Sequence, residues 1–173
     1  MSTDDPGMPL GRLASPTQSL WGPVADHVSQ RVLRLEDGAT VTVEATGRER
    51  PAKLPGLGRR IMGRQYEDVV PWVRLERVED HLVARCVNDH REIGFPLSPD
   101  EKAALLALGW HEPGPADGPA LLRWIPDDVA DAAYLPVSDV DKAVGLAIAT
   151  LRDVFGADPA TTMVRTRPPG GIL

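Results

Sequence analysis

Residues Phe95 to Trp110 read FPLSPDEKAALLALGW, and the stretch carries both ends of a helix. Ser98 suits the N-cap, Pro99 the first helical position, and Glu101 stands three residues after the cap, the spacing of a capping box. Each such cap contributes on the order of 1 kcal/mol. Leu105 and Leu108 lie three apart on one face among alanines. Gly109 offers the left-handed residue that closes a helix, so Trp110 is expected to fold back toward Leu105.

Outward from this helix, the pattern alternates between strand and helix periods. Trp21, Val24, Val28, Val32 and Leu35 recur at three- and four-residue spacing, with Pro23 tolerable only if the regular helix starts near it. Asp37-Gly38 turns the chain. Ala39, Val41, Val43 and Ala45 then alternate with Thr40, Thr42 and Glu44, which marks a half-buried strand. Val69 to Val78 and Leu82 to Val87 are β-branched-rich runs around a polar Glu79-Asp80-His81 turn. Pro71 argues for a strand start or an edge. Ile93 to Phe95 is a candidate extension of the sheet, Ala120 to Ile125 a short strand, and Thr161 to Arg165 a final one. Between the last two, Val140, Val144, Ala147, Ile148, Leu151, Val154 and Phe155 form one apolar helical stripe, with Ser138 expected as its cap and Gly156 as its end. Asp139 and Asp141 in the first turn suit the helix dipole.

The order of these features resembles the actinobacterial domains grouped with type III secretion chaperones and the YbjN proteins, the TY-Chap domains. Their pattern runs strand, strand, Leu-Ser, helix, Leu-Gly-Trp, a Trp-bearing strand, then an Ala-rich helix ending in Leu-Arg-x-Val-Phe-Gly and a proline. Here it is met by Trp72, Leu97-Ser98, Leu108-Gly109-Trp110, Trp124, the run from Leu151 to Gly156, and Pro159. The likeness covers residues 19 to 165 and is best between 70 and 160. It implies a secretion-chaperone-like architecture, a peptide- or protein-binding role without catalysis, and a homodimer. The chain departs from the pattern in a long basic insertion and carries nothing that identifies a client.

Periodicity by itself gives a single α+β domain, an antiparallel twisted sheet with helices packed mainly on one face; the strands are too clustered for a doubly wound parallel sheet. Of 173 residues, about 150 ordered ones bury roughly 70% of their unfolded surface, enough for one core. Residues 1 to 18 read as a disordered tail, 19 to 165 as the domain, and 166 to 173 as a second tail. The 17 Pro and 16 Gly exceed what a compact domain needs and fall largely in tails and loops. Without a signal-peptide or membrane-length apolar run, a cytoplasmic location is expected. The single cysteine, Cys86, excludes an internal disulfide.

Charge is unevenly spread on a chain of net −6. Residues 46 to 64 hold Arg48, Arg50, Lys53, Arg59, Arg60 and Arg64 against Glu49, in a Gly- and Pro-rich segment expected to be a flexible loop. Residues 98 to 141 are acidic, with Lys102 and Arg123 as the basic exceptions. A basic loop on an acidic body can orient a charged partner, whereas the overall sign disfavours nucleic acid.

Catalytic and metal chemistry find little support. His27, His81, His90 and His111 lack His-Glu-x-x-His spacing, and Cys86 has no nucleophile signature. Asp89-His90-Arg91-Glu92 is a dense acid-base cluster, but turn chemistry explains it as well. The glycines of PGLGRRIMGR lack the Gly-Lys-Ser/Thr of a phosphate loop. Neither a catalytic residue, a metal nor a cofactor is expected. Partner binding is assigned to Trp72, Arg74 and Glu76, which alternate against Val73 and Leu75, and to Arg59, Arg60 and Arg64. The favoured function is a chaperone or adaptor for a protein or peptide client, with adjacent genes as the first source of partners and no membrane role. Two alternatives are an immunity or regulatory protein masking a toxin or enzyme through the acidic 98 to 141 surface, and a small enzyme using His90 with nearby acids.

Overall fold

The alternating run after Gly38 becomes strand β1 (Thr40–Ala45), and its Val41, Val43 and Ala45 are completely buried. The structure, a computed structural model, describes residues 16–53, 66–89, 94–127 and 135–170. Strands β4 (Trp72–Val78), β5 (His81–Cys86), β6 (Leu121–Ile125) and β7 (Thr162–Arg167) join β1 in one antiparallel sheet of order β6-β5-β4-β1-β7. Register places Val43 opposite Val73 and Val73 opposite Cys86, while Leu75 faces both Val41 and Ala84. These side chains share one face because alternate residues of a strand point the same way.

Helix α1 (Pro16–Val32) and helix α3 (Val137–Ala149) cover that face, with Trp21, Val28 and Val32 of the first and Val140, Val144 and Ala147 of the second in one core with the strands. The expected α+β domain, with helices on one side of an antiparallel sheet, is therefore what the chain forms. Helix α2 (Pro99–Ala107) has the full capping box: Glu101 N donates to Ser98 Oγ at 3.2 Å and Ser98 N to Glu101 Oε2 at 2.9 Å. At its exit Gly109 has φ +90°, Gly109 N donates to Leu106 O at 3.0 Å and Trp110 N to Leu105 O at 3.2 Å, the paired bonds of a Schellman motif. Trp110 is 1% exposed, and its indole Nε1 donates to Thr150 Oγ1 at 2.9 Å, which locks the exit of α2 to the end of α3. There the helix widens into a π-helical turn (Thr150–Val154) and stops at Gly156, φ +60°.

Several boundaries differ from the sequence reading. The run from Val69 to Val78 is two strands, because Pro71 has no N–H for the ladder: β3 (Tyr66–Val69) pairs away from the main sheet with β2 (Arg50–Lys53). Strand β2 occupies part of the segment expected to be an irregular basic loop; residues 54–65 lie outside the described residues. Gly94 and Phe95 are not strand, and Phe95 instead packs edge-on to Phe155 in the core at 5.6 Å. Helix α1 takes in Pro23 and begins inside the expected tail, and β7 runs two residues into the other. Ser138 is not a cap: α3 starts one residue earlier, after Pro136, and no side chain caps it.

Candidate functional site

Helices cover one face of the sheet, and the residues out of phase with the core point to the other. Register aligns Thr42 with Arg74, Arg74 with Arg85, Glu76 with Val83 and Val83 with Trp124. Trp72, Arg74 and Glu76 therefore lie on the side opposite Val73 and Leu75, as their alternation predicts, and all three are half-buried. The Arg74 guanidinium stacks 5.2 Å from the Trp72 ring centre and donates from Nε to Thr42 Oγ1 at 3.4 Å. Burial, together with the like charges of Arg167 and Arg85, pulls the Arg74 pKa below its usual value against the opposing pull of Glu76 and Glu44. Glu76 pairs with Arg85 at 3.7 Å and Glu44 with Arg165 at 3.3 Å. Cations on this face (Arg74, Arg85, Arg165, Arg167) thus outnumber its carboxylates, the reverse of the chain as a whole.

Pro71 marks the start of β4 and not an edge, since β4 is the central strand of the sheet. The edges are β6 and β7. His111 exchanges main-chain bonds with Leu122 at 2.9 and 3.1 Å, which covers part of β6. On β7, Thr161 O accepts from Thr46 N on the β1 side, so alternation turns the main-chain groups of Thr162, Val164 and Thr166 to the free edge. Among the described residues no strand pairs with that edge.

Trp124, 41% exposed, is the most open of the tryptophans described and was not among the residues expected to bind a partner. It stands on the outer face, edge-on to His81 at 5.9 Å, while the charged Arg123 takes the inward position opposite Ala84. That inversion works because Gly109 has no side chain: Arg123 crosses it and donates from Nη1 to Leu108 O at 3.1 Å, a cation set on the C-terminal carbonyls of α2. The alternation of LLRWI around a buried Leu121 and Ile125 carries this signal, but its meaning rests on a glycine in another element.

Arg50, one of the six bases of the 46 to 64 segment, does not stand free. It lies 5.0 Å over the Phe95 ring and forms a two-pronged pair with Glu101, Nη1 to Oε2 at 2.8 Å and Nη2 to Oε1. The Arg50 guanidinium, with the Ser98 cap, holds the Glu101 carboxyl down at about 2. Arg59, Arg60 and Arg64 lie outside the described residues, as does His90. Burial pushes the Cys86 thiol well up from its usual value, so it stays protonated at neutral pH. Among the described residues no group of three or more His, Cys, Asp or Glu is placed to hold a metal ion, and no helix is long and apolar enough to cross a membrane.

The family model described as T3SS (YopN, CesT) and YbjN peptide-binding chaperone 3, TY-Chap3, matches residues 14–167. The chain belongs to this family. A search of curated proteins and one of solved structures each found no match. The TY-Chap3 match runs from α1 through β7, so the outer face, both sheet edges and the Leu-Gly-Trp exit all fall within it. Membership makes this a chain of the peptide-binding chaperone class.

Proposed function

We propose that the protein is a non-enzymatic chaperone or adaptor that holds a partly extended segment of a partner protein against the uncovered side of its sheet. The observation that carries this reading is the row Trp72, Arg74 and Glu76: half-buried, out of phase with the core, and on a face no helix described here packs against. An extended segment laid along the β7 edge gains main-chain hydrogen bonds that do not depend on its sequence, while aromatic and guanidinium groups on the adjoining face select its side chains. Arg59, Arg60 and Arg64 belong to the same proposal as further cations met by the client. A cytoplasmic location, a homodimer and a client encoded nearby complete the reading.

Capture from the native host with the tagged protein, followed by identification of what is retained, tests it first with the products of adjacent genes. Trp72→Ala combined with Arg74→Ala is expected to abolish retention while the domain, though less stable, stays folded by circular dichroism. Retention that survives in the folded double variant, or a saturable turnover of any substrate, overturns the reading.

A further inference from the structure

A groove of about 640 Å³ opens where strand β6 meets helix α3, within the size range of small-ligand sites. Its walls are apolar, from Leu108, Ile125, Leu146 and Ala149, yet two cations, Arg123 and Lys142, line it too. Arg123 sits within the acidic stretch from 98 to 141, and Lys142 directly follows it. Trp124 belongs both to the groove and to the outer face of the sheet, so the two surfaces are continuous.

The Arg123 guanidinium is sparingly served. Nη1 reaches Leu108 O, Nη2 is 3.4 Å from Asp127 Oδ2, and the buried Nε has no hydrogen-bond partner among the described residues. Asp127, whose side chain is 64% exposed, can swing into water and leave its place to another carboxylate. Lys142 pairs with Asp139 at 2.8 Å but keeps its side chain 65% exposed. The helix wall is lowered at Gly145, where an added Cβ would meet nothing within 4 Å. A glycine in mid-helix weakens the helix relative to alanine. Among the described residues no packing around Gly145 calls for it, and its missing side chain leaves the groove open on that side.

Resting on the chaperone reading above, we infer that this groove is an acid-reading subsite: it takes an Asp or Glu of the client, its carboxylate between Arg123 and Lys142 in place of Asp127, with neighbouring aliphatic side chains against Leu108, Leu146 and Ala149. Exchange of one carboxylate for another keeps the guanidinium charge-paired throughout, so the cost of entry is small.

Three capped peptides serve as probes, acetyl-Leu-Glu-Leu-Glu-Leu-amide and its Gln and Lys counterparts, followed by calorimetry and by NMR of the Gly145 amide and Trp124 indole. The Glu peptide is expected to bind and shift both resonances, the Gln peptide to bind about tenfold or more weakly, as expected for loss of a charge-assisted bond, and the Lys peptide not to bind. Gly145→Leu, whose Cβ meets no described atom within 4 Å, projects its side chain toward the groove and should remove binding; Lys142→Glu, at an exposed position, should do so by charge if the first variant folds poorly. Asp127→Asn should tighten the Glu peptide by removing its competitor. Equal binding of the Glu and Gln peptides, or Glu-peptide binding unchanged in folded Gly145→Leu or Lys142→Glu, overturns the subsite and leaves the chaperone reading standing. Failure of all three probes overturns the subsite as well, and it reaches the chaperone reading only if captured clients also ignore the Trp72 and Arg74 substitutions.

Discussion

Gly109→Ala tests how the Leu-Gly-Trp exit and the inverted strand β6 depend on each other. The residue stands at φ +90°, where an L side chain is strained by about 1–2 kcal/mol. The new Cβ would also overlap Arg123 Nη1 and come within 3.1 Å of its Cζ. The guanidinium can move aside, at the cost of its bond to Leu108 O, and hydrogen bonds to charged groups contribute about 1.5–3 kcal/mol. Together these give a destabilisation of roughly 2–4 kcal/mol with part of the half-buried bond's value recovered from solvent, or a fall in thermal midpoint of about 5–15 °C for a domain of this size. The two contributions separate in a cycle with Arg123→Met, measured by urea denaturation. In the Arg123→Met background only the backbone strain remains, so Gly109→Ala should cost about 1–2 kcal/mol, and the coupling should be about 1 kcal/mol or more. Additivity of the two substitutions within about 0.5 kcal/mol would refute the contact and with it the account of why Arg123, and not Trp124, points inward.

Trp110→Ala should cost about 3–5 kcal/mol through lost burial, and Trp110→Phe about 1–3 kcal/mol through the stranded Thr150 hydroxyl; both should lose client binding only in proportion to folded protein, seen by paired melting and binding curves. Glu101 has a folded pKa of about 2 against an unfolded one near about 4.3. A depressed carboxylate gives stability that is present above the unfolded value and lost as pH falls through the folded one, so the melting-point gap between wild type and Glu101→Gln should be full above about pH 5 and close toward pH 2. A gap that does not change with pH would count against the Arg50 pair. Ser98→Ala should destabilise by about 0.5–2 kcal/mol in denaturant titrations, as loss of an N-cap does.

Local chemistry was legible wherever one segment holds its own instructions. Ser98, Pro99, Glu101 and Gly109 specify helix α2 within a dozen residues, and the Val41, Val43 and Ala45 alternation specifies a face without knowledge of what covers it. What escaped depends on distant partners. Strand β2 pairs with β3 across residues that share no local pattern with it, so Arg50 to Lys53 read as loop. The placing of Trp72, Arg74 and Glu76 opposite Val73 and Leu75 came from alternation alone, but the interior position of β4 is set by β1 and β5 on its two sides. Arg123 in an inward position breaks the usual expectation for charge, and a glycine fourteen residues away in chain order makes room for it. Ser138 shows the opposite error: a residue type suited to capping was read as a cap, although the N-cap position falls on Pro136 and Ser138 lies inside the helix.

Strand β7 pairs with β1, so among the described strands of the main sheet the earliest is joined to the latest. A ribosome releases β1, β4, β5 and β6 in order, and throughout that time one side of β1 waits with its hydrogen-bonding groups unfilled. Long-range pairing of this kind is slow to form, and an unfilled strand side invites intermolecular pairing. For a protein whose class binds other polypeptides, the nascent chain is thus itself a client-like species, able to recruit an extended segment at β1 before its own last strand arrives. Pulse-labelled chains arrested before Thr162 should associate with other polypeptides more readily than finished ones, and addition of a peptide copying Thr162–Arg167 should suppress that association.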